Sequence, residues 1–242
     1  QEELLAEIAE TVGKDHIAAI SFGGAPMDFS FEKNVGAILH MYLGGQAVGE
    51  SVADLISGEV NPSGKLAETI PFSEKDTPAW RYFAPLNDDV EYRESIFVGY
   101  RYYETFHVPV KYPFGHGLSY TAFTYNDLEI IRQQENGRQT VKVSCSVTNT
   151  GEHAGKETVQ IYVAPEQKKD RPVHELKAFE KVRLDAGETK RSCVILEERD
   201  FSRYDTDKKM PVPVNGTYEI QVGASSTDIC LCGKIDLFFA EG

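Results

Sequence analysis

The sequence has no apolar run near the ~18 residues that a membrane-spanning helix needs. Its 242 residues hold one tryptophan, three methionines and four cysteines. Cys230-Leu231-Cys232 places one residue between two thiols, not the two of a zinc knuckle or redox pair. Four scattered thiols favour a cytoplasmic, reducing setting over a secreted one. Positive charge is also scarce, with Lys and Arg numbering 25 against 38 Asp and Glu, for a net charge of −13. Residues 1–121 carry 8 basic against 18 acidic side chains, and residues 122–242 carry 17 against 20. Such a surface does not neutralise phosphates and argues against nucleic acid as a partner.

Several catalytic signatures are missing too. There is no Gly-x-Ser-x-Gly elbow to seat a nucleophilic serine. The six histidines (His16, His40, His107, His116, His153 and His174) form no i, i+4 pair and have no cysteine at ligand spacing, so no metal site is predicted. His16 and His40 adjoin apolar strands and are read as core-edge residues. Gly58 to Lys65 imitates a phosphate loop and fails: five residues separate the glycines, Leu66 stands where Ser or Thr is needed, and Pro62 removes a backbone N–H. No cofactor is implied. Among 38 carboxylates, spacing alone selects no catalytic pair.

What is present falls into two rhythms. In the first, Leu4, Leu5, Ile8 and Val12 share one helical face that Gly13 ends. His16 to Phe22 and Val35 to Tyr42 are apolar runs of strand length, each followed by paired glycines, as in parallel strands covered on both faces. Gln46 to Ser57 reads as a helix with Val48, Val52, Leu55 and Ile56 inward and Gly58 as its stop. From Thr121 the rhythm changes to seven short alternating strands, about 122–132, 139–149, 157–164, 174–184, 189–196, 216–224 and 228–239. That pattern fits an antiparallel sandwich of the immunoglobulin or fibronectin type III kind. Cys145 alternates in phase with Val141, Val143 and Val147 and is expected in its core. Asn215-Gly216-Thr217 is a formal glycosylation sequon, read as a hairpin turn.

Between the two lies Phe72 to Pro113, weakly periodic and dense in aromatics, which is expected to be a long loop lying on a neighbour. Tyr92, Phe97, Tyr100, Tyr102, Tyr103, Phe106 and Phe114 surround Arg93, Arg101 and Glu94. Such a connector seals two domains or builds a sugar-stacking wall. The same two readings apply to Trp80, Tyr82 and Phe83.

Three groups of strings carry a resemblance. GGQAVGESVADLISGEVNPSGKLAETIPFS resembles the end of the α/β sandwich domain of glycoside hydrolase family 3, the β-glucosidase family. VEYRESIFVGYRYYETF and YPFGHGLSYTAFTY resemble its connector, and VTNTGEHAGKETVQIYV, RPVHELKAFEKV and YEIQVGASS resemble its fibronectin type III-like domain. The resemblance implies residues 1–70 as the C-terminal part of the α/β sandwich, 71–120 as an aromatic connector and 121–242 as the fibronectin-like domain. It implies a parent enzyme acting on β-linked glucosides or oligosaccharides by two carboxylates. The family's nucleophile sits in a Ser-Asp-Trp-like motif of a barrel domain, and its acid/base glutamate precedes the helix that Gln1 to Val12 resembles. Neither maps onto this chain, which is therefore expected to scaffold the site, to be inactive alone, and to have the barrel domain as its partner. Trp80, Tyr82 and Phe83 are the candidate substrate-binding residues, as an outer sugar subsite or as a cover for the domain seam. Ser95 stands where the family's connector commonly has glycine, which argues against a positive-φ turn there. An unpaired sheet edge or bare apolar face on the α/β part would favour a homodimer. The alternative is a non-catalytic module binding polysaccharide or cell wall. The aromatics of the second half (Tyr162, Phe179, Phe201, Tyr204, Tyr218, Phe238 and Phe239) lie mostly in core phase or at turns, which argues against a flat binding platform.

Overall fold

A computed structural model describes residues 2–83, 90–135, 138–166 and 170–239. Helix α1 covers Glu2–Val12 and leads through a short 3-10 turn into strand β1, Ala18–Ser21. Strand β2, Ala37–His40, pairs with β1 in parallel, with Ala18 opposite Ala37 and Ser21 opposite His40. Helix α2, Val48–Ser57, ends at Gly58 in the left-handed conformation, φ 81°, where a side chain would clash with its own backbone. The parallel pair and both helices stand where the sequence places them. Their burial differs from expectation. No residue of α1 or α2 is buried; Leu4, Ile8, Val12 and Ile56 face solvent, and so does His16. An amphipathic face is only an offer of burial, and a two-stranded sheet is too small to cover it.

The predicted long loop contains a helix and a strand that pairs with residues just before it. Strand β3, Ile70–Pro71, pairs antiparallel with β4, Val110–Tyr112, and helix α3 covers Tyr100–Thr105. Too short to show a period, they are held by packing: Ile70 and Tyr103 are buried. The Lys111 ammonium lies 3.0 Å from Glu32 and donates to the Phe29 carbonyl, while the Tyr112 hydroxyl donates to Glu32 at 2.6 Å. Ser95 overturns its expectation. It adopts φ 53°, so the left-handed turn persists with a serine carrying the steric cost.

All seven predicted strands of the second half form. Strands β5 (Phe123–Glu135), β6 (Arg138–Asn149) and β9 (Thr189–Leu196) make one sheet in the order β5-β6-β9. Strands β7 (Gly155–Pro165), β8 (Glu175–Leu184), β12 (Gly216–Gly223) and β13 (Ile229–Leu237) make the other, in the order β13-β12-β7-β8. The inner faces close over Val141, Val143, Cys145, Val147, Val159, Ile161, Leu184, Leu196, Ile220, Val222 and Leu237. The Cys145 thiol is pushed up to about 11 by this burial. Unforeseen is a small hairpin of β10 (Ser202–Asp205) and β11 (Met210–Pro213). Asn215-Gly216 consequently joins two sheets and is not a hairpin turn; the Asn215 side chain accepts from Phe239 N–H at 2.7 Å. Near the start of β12 the Tyr218 hydroxyl reaches back to the carbonyls of Val214 (2.6 Å) and Phe201 (3.1 Å), the tyrosine corner of immunoglobulin-like sandwiches.

The failed phosphate loop is the clasp between the two halves. Asn61 donates to the Ala154 carbonyl at 3.0 Å and accepts from the Ser119 hydroxyl and Tyr120 N–H. Lys65, nearly buried, pairs at 3.2 Å with Glu157 on β7, which also accepts from the Tyr125 hydroxyl at 2.9 Å. Leu66 exchanges backbone bonds with His116 and Gly115, each 2.8 Å. Gly117 passes so close to the Gly64 carbonyl that a Cβ there would collide with it. Tyr100 of α3 adds ring contacts to Phe114, Tyr162 and His174, and its hydroxyl accepts from Leu176 N–H at 2.7 Å. The seam-sealing role of the aromatic stretch thus falls to Tyr100 and to Phe114, whose carbonyl accepts from Ser226 N–H at 2.9 Å.

Candidate functional site

In open α/β sheets, ligands bind beyond the carboxyl ends of parallel strands. Here that edge is formed by Ser21 and His40, the last residues of β1 and β2, whose Oγ and Nδ1 lie 2.8 Å apart. The loops that follow run through Gly23-Gly24 and Gly44-Gly45. Tyr42, at φ 49°, lays its ring 4.2 Å from that of His40. Burial lowers the His40 pKa against the opposing charge of Glu68, and burial with the same charge raises that of the Tyr42 hydroxyl. The buried atoms His40 Nε2, Tyr42 OH and Glu68 Oε1 have no hydrogen-bond partner among the described residues. Serine, imidazole and carboxylate meet here without a nucleophile's geometry. The Ser21 side chain is buried, and among the described residues no carboxylate is hydrogen-bonded to His40. The cluster ties the two strand ends together and fixes where their loops begin. His40 therefore sits at the core edge as predicted, and His16 does not.

Trp80, Tyr82 and Phe83 come together on one tight turn. The backbone N–H of Trp80 bonds to the Thr77 carbonyl, and those of Tyr82 and Phe83 bond to the Ala79 carbonyl. Their exposures are 43%, 37% and 73%, so they present ring surface to solvent. The Arg93 guanidinium stands 4.5 Å from the Tyr82 ring centre and is held there by Glu91. This cation–π contact orients Tyr82 on the turn. Among the described residues no group of three His, Cys, Asp or Glu gathers to hold a metal ion.

Sequence reasoning missed Asn61, Lys65 and Glu157. The only local signals were the Asn-Pro-Ser-Gly turn and the lone lysine after it; their partner Glu157 lies 92 residues beyond Lys65 and carries no mark of its own.

Comparison with known proteins matches this arrangement part by part. Residues 1–120 match the glycosyl hydrolase family 3 C-terminal domain and residues 157–226 the fibronectin type III-like domain. The chain is 42% identical over 232 residues to thermostable beta-glucosidase B of Acetivibrio thermocellus, covering 96% of this chain and 30% of that protein. It is 41% identical over 229 residues to an exo-alpha-(1->6)-L-arabinopyranosidase of Bifidobacterium longum, covering 93% and 30%. Among solved structures it superposes on the family 3 beta-glucosidase of Bifidobacterium adolescentis with TM-score 0.90 at 38% identity, covering 98% of this chain and 35% of that one. It superposes on beta-glucosidase 3B of Thermotoga neapolitana in complex with alpha-D-glucose with TM-score 0.87 at 39% identity, covering 97% and 33%. The chain spans about a third of the length of these relatives. With both regions and the clasp between them accounted for, the chain belongs to glycoside hydrolase family 3, comprising its C-terminal domain and the fibronectin type III-like sandwich joined to it.

Proposed function

We propose that this chain is the C-terminal portion of an exo-acting glycoside hydrolase that cleaves β-glucosides or related terminal glycosides with retention. In that reaction one carboxylate attacks the anomeric carbon and the other donates and then accepts a proton. Neither role is assigned to a residue of this chain. Its part is to scaffold: the loops after β1 and β2 border the site, the clasp at Asn61 and Lys65 holds the sandwich against the α/β part, and the barrel domain is its partner. The observation that carries the reading is the likeness, over both regions together, to a β-glucosidase in complex with alpha-D-glucose. Trp80, Tyr82 and Phe83 form an outer subsite, where exposed rings stack on a sugar face.

The test uses aryl β-D-glucopyranoside and aryl α-L-arabinopyranoside, because relatives near 40% identity carry both names. The full-length gene product should turn over one of the two with retained configuration, and the 242-residue chain alone should turn over neither. Turnover by the chain alone would overturn the scaffold role. In the full-length enzyme, Trp80→Ala should raise KM for a disaccharide more than for an aryl monoglycoside; equal effects would remove Trp80 from the subsite. The exposed apolar face of α1 supports pairing of the isolated chain with a second copy, which sedimentation across a concentration series reads directly.

A further inference from the structure

His174 faces an acceptor at each ring nitrogen. It stands immediately before β8, on the seam between the two halves, and is 4% exposed. Its Nδ1 lies 2.6 Å from Gln221 Oε1. The Gln221 amide cannot turn over, because its nitrogen donates to Glu219 at 2.6 Å and the reversed amide would set oxygen against carboxylate. On the other side Nε2 lies 2.7 Å from Glu104 Oε2, an ion-pair distance without hydrogen-bond alignment. A neutral imidazole carries one N–H and would turn a lone pair on one of these two oxygens. Only the imidazolium carries a proton at both nitrogens. That proton belongs to the ring and not to Glu104, since imidazole is the stronger base by roughly two pH units. The Tyr162 ring, stacked 4.7 Å away, holds the imidazole in this orientation.

The contact crosses between the halves. Glu104 belongs to α3, while His174 and Gln221 belong to the sandwich. Helix α3 also holds the chain on both sides of His174. Thr105 accepts from Val173 N–H at 3.0 Å, and the Tyr100 hydroxyl accepts from Leu176 N–H at 2.7 Å. Of these three links, the pair of Glu104 and His174 is the one that depends on charge. A neutral ring would leave Glu104, whose side chain is 17% exposed, beside a lone pair instead of a cation. Removing one partner of a buried ion pair is strongly destabilising, because the other charge stays buried and unpaired.

The other ionisable groups around the ring do not supply this dependence. Burial raises the Tyr100, Tyr103 and Tyr162 hydroxyls, which therefore keep their protons. It does the same for the Cys232 thiol opposite Gln221. Glu175, the next residue, is already shared by Arg101, Arg171 and Lys177 at 3.7, 3.3 and 3.6 Å. Glu219 reaches the ring only through the Gln221 amide. His107, which lines the same cleft as His174 and Glu104, is exposed.

We infer that His174 is a buried imidazolium latching α3 to the sandwich, and that loss of its proton as pH rises releases this part of the seam. Because the fold favours the charged ring, the contribution is complete below the ~6.5 at which a free imidazole loses its proton, and is lost as pH rises further. This is opposite in sign to His40 and His116, which the fold favours as neutral rings.

Two measurements on the 242-residue chain test the latch. The first is the ring-nitrogen NMR spectrum at about pH 7.5, where a free imidazole is mostly neutral. Both His174 nitrogens should resonate as protonated, and a single-proton tautomer would overturn the inference. The second is amide exchange at Val173 and Leu176, expressed as protection factors, between about pH 6.5 and about pH 9. Protection there should fall about tenfold or more, while Val143 and Cys145 in the far sheet keep theirs. Equal change at both places would overturn the latch. His174→Lys, which keeps a cation throughout this range, should abolish the fall, and His107→Gln should leave it intact. The reverse result for either variant would overturn the role of His174. If His174→Lys fails to fold, the ring spectrum of the unsubstituted chain still decides.

Discussion

The sandwich and the α/β part are built from similar apolar patterns and end up with opposite degrees of burial. In the sandwich, two sheets face one another, and Val147, Val159, Leu184, Leu196, Ile220, Val222 and Leu237 are completely enclosed. In the α/β part, α1 and α2 have apolar faces and no buried residue, and among the described residues β1 and β2 pair only with each other. The buried apolar residues described in the α/β part are Phe29, Val35, Ile70 and Tyr103, and all four lie in loops or in short elements that the sequence does not announce. Closure of a second layer, and not amphipathicity, is what turns an apolar face into stability.

This contrast can be broken at its strongest point first. Leu184→Ala should cost the chain about 3–5 kcal/mol, a core truncation with a cavity left behind. Leu4→Ala, at a position 60% exposed, should stay within ~0.5 kcal/mol. Urea melts of the two variants measure the difference, and comparable losses would mean that α1 is covered in solution. Next is the clasp. Lys65→Met leaves Glu157, whose side chain is 5% exposed, without its cation, and should cost about 3 kcal/mol. It should also loosen the α/β part ahead of the sandwich, so hydrogen exchange in residues 14–60 should accelerate more than in 140–165.

Smaller effects sharpen the comparison from the α/β side. Ser95→Gly relieves a left-handed serine and should stabilise the chain by up to about 1 kcal/mol, read as a raised melting temperature. The smallest effect is that of pH. Burial lowers the pKa of both His40 and His116, with the Lys65 charge adding to it at His116, below the ordinary 6.5. A lowered folded-state pKa means that the fold favours the neutral ring. The contribution is complete above about 6.5 and is lost as pH falls through the lowered values. The melting temperature should therefore drop between about pH 7 and pH 5, and His116→Gln should flatten that drop.

Legibility followed element length and layer closure. The seven sandwich strands could be read because alternation over eight or more residues leaves few alternatives, and Cys145 could be placed in the core from its phase alone. The β3–β4 pair, α3 and the β10–β11 hairpin could not, since two to six residues show no period. Ser95 misled because residue type argues only a propensity, and a serine can carry the cost of the left-handed region at a single position. At the candidate site, Trp80, Tyr82 and Phe83 were visible as an aromatic cluster. The pairing of Ser21 with His40, and the meeting of Glu104 with His174, depend on contacts across 19 and 70 residues of sequence.

By itself the sequence determined the order of the longer elements, the change from α/β to β-sandwich near Thr121, and membership of a family whose strings it carries in order. These follow from local periodicity and from turn residues that tolerate few conformations. Only the tertiary structure decided that Asn61 and Lys65 form a clasp, that the aromatic stretch seals the seam through Tyr100 and Phe114, and that Glu104 meets His174. Each of these joins groups far apart in the chain, and a lysine or glutamate bears no mark of its partner until folding has brought the two together.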